Sequence, residues 1–88
     1  MNEKFNELIQ RLTQIYQQIN ASQSPRIRMD MRKMHRAAEK MLADCSKELV
    51  ACRRQGRLTY KYQELTAQTE DTINQLEQYM TLAMLLGD

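Results

Sequence analysis

Apolar residues recur along this chain with the period of an α-helix. Between positions 5 and 19 they are Phe5, Leu8, Ile9, Leu12, Ile15, Tyr16 and Ile19. At 100° per residue these fall within one arc about 120° wide. A second stripe runs through Ile27, Met31, Met34, Ala38, Met41, Leu42, Cys45, Leu49 and Cys52. A third runs through Tyr62, Leu65, Thr69, Ile73, Leu76, Met80, Ala83 and Met84. Two breaks separate them. In Asn20-Ala21-Ser22-Gln23-Ser24-Pro25, Ser24 reads as an N-cap, and Pro25 fits the first helical position because its missing N–H would be unsatisfied there anyway. In Gln55-Gly56-Arg57-Leu58-Thr59, Gly56 fits a left-handed helix C-cap and Thr59 can cap the next helix. The pattern predicts helices over 2–20, 25–55 and 59–86 within a single domain, 1–88. The last two would each be about 40–45 Å long at 1.5 Å per residue. A short loop between long helices implies an antiparallel helical hairpin, here with an additional N-terminal amphipathic helix. Heptad-like seams suit coiled-coil-like packing at a shallow crossing angle. The predicted fold is all-α.

Four residues stand apart from the third stripe. Tyr79, Leu82, Leu85 and Leu86 lie roughly 100° or more from its centre, which makes the last turns apolar on nearly every side. Exposed apolar patches usually mark interaction sites, so these turns are the candidate partner surface.

Composition excludes more than it assigns. Eighty-eight residues with two glycines, one proline and no tryptophan argue against a turn-rich β fold. No apolar run approaches the roughly 18 residues that span a bilayer. The start, Asn2-Glu3-Lys4, is not that of a signal peptide, so a cytoplasmic location is expected. Cys45 and Cys52 lie seven residues apart, about 10.5 Å of helical rise, beyond the roughly 7 Å that a disulfide tolerates. They read as reduced core thiols. His35 is the only histidine, lies at the edge of an apolar stripe and has no partner at metal-ligand spacing. There is no glycine-rich phosphate loop and no nucleophile–base–orienter set, so neither an enzyme nor a cofactor is expected.

Charge is uneven. Residues 26–57 carry ten basic and four acidic side chains, net +6, while residues 58–88 carry net −4. The simplest expectation is a basic helix beside an acidic one with mutually attractive flanks. Arg28, Arg32 and Arg36, extended by Lys40, Lys47 and Arg54, are expected to share an outer face that could follow phosphates. Against nucleic-acid binding stand Asp44 and Glu48 in the same helix, the small total charge of +2, the few aromatics and the absence of a recognition-helix motif.

The hairpin resembles a known family. The residues are Leu42-Ala43-Asp44-Cys45-Ser46-Lys47-Glu48-Leu49, then Gly56, then Lys61-Tyr62-Gln63-Glu64-Leu65-Thr66, Glu70 and Ile73. Over about residues 38–86 this stretch resembles the small E-subunit co-chaperones of type III secretion needle proteins. The resemblance implies a two-helix hairpin that binds a tetratricopeptide-like chaperone in the bacterial cytosol. Together the two hold the needle subunit and prevent its premature polymerisation. On that reading Tyr79, Leu82, Leu85 and Leu86 contact the partner, and Leu65 and Ile73 fix the hairpin. The alternative from the seams alone is a self-associating helical bundle or coiled-coil adaptor, a homo-oligomer whose equivalent surfaces pair.

Overall fold

The computed structural model describes residues 3–86. Residue 2, where the first helix is expected to begin, lies outside them. The described chain is all-helical, as the periodicity predicts: α1 (Glu3–Ala21), α2 (Pro25–Gln55) and α3 (Tyr60–Leu85). The helices stop and start where local chemistry dictates. The Ser24 hydroxyl accepts the Ile27 N–H at 3.3 Å, with Pro25 opening α2. Gly56 takes φ 71°, which glycine adopts without a Cβ penalty, and its N–H returns to the Arg53 carbonyl at 3.3 Å. The Thr59 hydroxyl accepts the Tyr62 N–H at 3.1 Å and so starts α3.

Cross-helix contacts give the directions. The Cys45 thiol meets the Thr69 hydroxyl at 3.4 Å, and Thr72 donates to the Met41 sulfur at 3.4 Å, so α2 and α3 run antiparallel. His35 lies on the Leu12 carbonyl and Arg32 on Asn20, so α1 is antiparallel to α2. The result is a rod of 48 × 16 × 16 Å in which every helix touches the other two.

The main core joins Leu8, Leu12, Ile15 and Ile19 of α1 to Met31, Ala38 and Leu42 of α2 and to Ile73, Leu76 and Met80 of α3. At 19 residues, α1 reaches only about 28 Å, against about 46 Å for the 31 residues of α2. Phe5 near its start packs against both this core and a second cluster of Cys45, Leu49, Cys52 and Tyr62, with Leu65 beside it. Toward the α2–α3 turn the rod is therefore essentially two helices thick. Small polar residues complete that narrower part. The hydroxyls of Thr66 and Thr69 are buried and donate to carbonyls of their own helix, Gln63 at 2.9 Å and Leu65 at 2.7 Å.

Three expectations change. Ile9 and Tyr16 remain about half exposed at the rim between α1 and α2, because Leu8, Leu12, Ile15 and Ile19 alone fill the seam. Met84, expected on the core stripe, is exposed, since Met80 is the last residue of α3 that the core covers. The electrostatic pairing also differs. Glu70 and Glu77 of α3 pair with Lys4 and Arg11 of α1, and Arg11 also reaches Asn74. Among the described residues the ion pair between α2 and α3 is Glu48 with Lys61 at 4.0 Å, of opposite polarity to the one expected. The reason is angular: most cations of α2 project away from α3, while Lys4 and Arg11 lie on the flank of α1 that meets it.

Two outcomes follow. Ile73→Ala removes a fully buried side chain and should cost about 2–5 kcal/mol in urea unfolding, whereas the exposed Leu85→Ala should stay within about 0.5 kcal/mol. Equal effects would contradict this core. The second concerns pH. The hydrogen bond from Lys4, reinforced by the charges of Lys4 and Arg11, holds the Glu70 carboxyl below its ordinary value of 4.5. The unfolded chain thus takes up this proton at higher pH than the fold does, and the stabilisation, present above about pH 4.5, is lost as pH falls further. Glu70→Gln should flatten the acid limb of a melting-temperature profile between pH 7 and about pH 3, and an unchanged limb would refute the assignment.

Candidate functional site

The final turns of α3 present two apolar faces. Leu76 and Met80 point into the core. Tyr79, Leu82 and Leu86 recur at i, i+3 and i+7 and form an outward stripe, with Leu85 beside it. Their exposures are 39% for Tyr79, 58% for Leu82, 77% for Leu85 and 85% for Leu86. A helix that turned only one face to its own fold would carry polar residues here. The stripe borders a groove of about 500 Å³ whose walls are Gln23, Ser24, Ile27, Tyr79, Leu82, Ala83 and Leu86. The Ser24-Pro25 start of α2 builds the facing wall, because capping at Ser24 fixes where Ile27 sits in the first turn. The groove is thus apolar at its base with a short polar lip from the α1–α2 connection. Spacing at i, i+3 and i+7 beside such a groove is the geometry by which helices recognise one another.

The two remaining candidates lie elsewhere. Ile73 is fully buried in the main core, too deep to touch a partner in this fold, and Leu65 is partly buried against the second cluster. Both hold α2 and α3 together rather than line the stripe. Ile27 packs against the main core, as its stripe predicts, and also lines the groove. Its helical position was legible, but its proximity to Tyr79 and Leu82 depends on how α2 and α3 register.

Other side chains that carry chemistry are occupied structurally. His35 is buried, with Nδ1 2.7 Å from a Glu39 carboxylate oxygen and Nε2 3.0 Å from the Leu12 carbonyl. Its ring lies 5.2 Å from that of Tyr16. It pins α1 to α2 beside a smaller groove of about 410 Å³ that it lines with Ile9, Leu12, Thr13, Tyr16, Glu39 and Leu42. Cys45 and Cys52 are free and buried. Burial pushes the Cys45 thiol up, so it is a poor nucleophile. The Tyr62 hydroxyl is buried without a hydrogen-bond partner among the described residues, and burial raises it too. Among the described residues no group of three or more His, Cys, Asp or Glu could hold a metal ion. No helix among them is long and apolar enough to cross a membrane. No known protein family, curated protein or solved structure matches the chain.

Proposed function

We propose that this protein is a protein-binding module whose apolar stripe on α3 docks onto a helical partner. In its specific form it is a small cytoplasmic co-chaperone of a bacterial type III secretion system. It binds a tetratricopeptide-like chaperone, and the complex keeps the needle subunit from polymerising early. The observation that carries the general reading is the outward stripe of Tyr79, Leu82, Leu85 and Leu86 beside a preformed groove. The specific form rests on the resemblance over residues 38–86. The hairpin of α2 and α3 serves as the scaffold, and α1 stiffens the end that carries the stripe.

The energetics support such a role. Fully burying one exposed large apolar side chain contributes about 1.5–3 kcal/mol, a gain open mainly to Leu85 and Leu86, since Tyr79 and Leu82 are already partly covered. Ile27 and Ala83 in the groove offer further apolar contact to a docked helix. Met84 suits a contact that must adapt, because methionine repacks readily.

Leu82→Glu with Leu85→Glu is the direct test. Both side chains are exposed, so far-UV circular dichroism and the melting temperature should hold. Affinity for the repeat-type chaperone should fall about 100-fold or more, the equivalent of losing two buried leucines. Unchanged affinity would refute the stripe as the docking surface.

A further inference from the structure

A second surface is left without a partner by the way charge is paired. Arg26, Lys33, Lys40, Lys47 and Arg54 stand seven residues apart along the whole of α2, and all five are exposed. Lys33, Lys40, Lys47 and Arg54 each follow by two positions a core residue that is fully buried: Met31, Ala38, Cys45 and Cys52. Two positions turn a helix by about 200°, so the row lies on the side of α2 directly opposite its core. Arg36 widens it. Arg28 and Arg32, expected on the same outer face, instead turn toward the end of α1, Arg28 donating to the Ser22 carbonyl in the α1–α2 connection and Arg32 to Asn20. Among the described residues no carboxylate pairs with any cation of the row, and two acids of α3, Glu70 and Glu77, pair with α1 instead.

We infer that this row docks an α-helix of another protein that carries carboxylates at seven-residue intervals. Periodicity selects that occupant. A strict seven-residue row drifts about 20° per heptad around a straight helix and traces the path of a left-handed superhelix. A neighbouring helix crossing at about +20° follows that path, and its own seven-residue acidic row meets every cation at the same 10.5 Å repeat. Ala37 and Ala43 flank the row and are small, which lets a second helix approach closely. Nucleic acid fits less well. Each strand of a duplex presents a phosphate about every 3.4 Å of helix axis, out of step with the 10.5 Å repeat, and α2 holds no Phe, Tyr or Trp on which a base could stack. Exposed ion pairs are individually weak, so the row sets register and orientation and its contribution fades with salt. The inference stands apart from the apolar end of α3, since the row occupies a different face.

The test uses the full chain and a labelled helical peptide of about 35 residues with Glu at every seventh position, five heptads long. A control peptide has the same composition with the glutamates off the repeat, and a duplex DNA oligonucleotide is the polyanion control. At low ionic strength, fluorescence anisotropy should show the in-register peptide binding at least about fivefold more tightly than the control. Lys33→Gln, Lys40→Gln and Lys47→Gln together should weaken that binding roughly tenfold while the melting temperature holds, and about 0.3 M salt should abolish it. Leu82→Glu with Leu85→Glu should leave it unchanged, which separates this surface from the stripe. Equal binding of both peptides, no binding of either, or tighter binding of the duplex than of the in-register peptide would each overturn the inference.

Discussion

The seating of Leu8, Leu12, Ile15 and Ile19 of α1 between α2 and α3 is the interaction on which the rest of the molecule depends. Two helices alone would leave one side of Met31, Ala38, Leu42, Ile73 and Leu76 open to water. A third helix laid in the furrow closes it, and the short Ser22–Ser24 connection forces α1 to run back along α2. That placement also decides the electrostatics. Lys4 and Arg11 come to lie against Glu70 and Glu77, so the acidic flank of α3 is neutralised by α1 and the basic side of α2 is left facing water.

Length then shapes the surface. Because α1 is shorter than its neighbours, the rod has a three-helix end and a two-helix end. The two-helix end is narrow, and it is completed by threonines that satisfy their own hydroxyls and by compact cysteines rather than by more leucine. The three-helix end is fully packed, yet it still carries Tyr79, Leu82, Leu85 and Leu86 on the outside. Leu85 and Leu86, the most exposed of the four, add little to the isolated fold, while Tyr79 and Leu82 are partly covered by it. Tyr79, Leu82 and Leu86 line the groove that Ile27 walls, which is why the proposed interface is placed there.

Much of the fold was legible in the sequence because its signals are local. Ser24-Pro25, Gly56 and Thr59 act within a few residues of themselves, through capping bonds and one left-handed backbone angle, so they mark the helix ends without knowledge of the packing. The off-stripe position of Tyr79, Leu82, Leu85 and Leu86 is likewise a matter of 100° per residue. What depends on partners far along the chain was hidden. The sequence shows that His35 borders a stripe, not that both its ring nitrogens would find Glu39 and the Leu12 carbonyl. It shows net charges for each helix, not which flank of α1 would meet Glu70. Ile27 belongs to the candidate groove only because α2 and α3 register so that it faces Tyr79 and Leu82 across the seam.

The claim at the centre is that the apolar end of α3 is an interface with a different protein. Native mass spectrometry of the complex retained by the full chain after a high-salt wash tests it most directly. One copy of this chain with one repeat-type chaperone and one small needle subunit is the predicted composition. A species containing only this chain, at dimer or tetramer mass, would contradict it and make the stripe the self-association surface of a helical bundle.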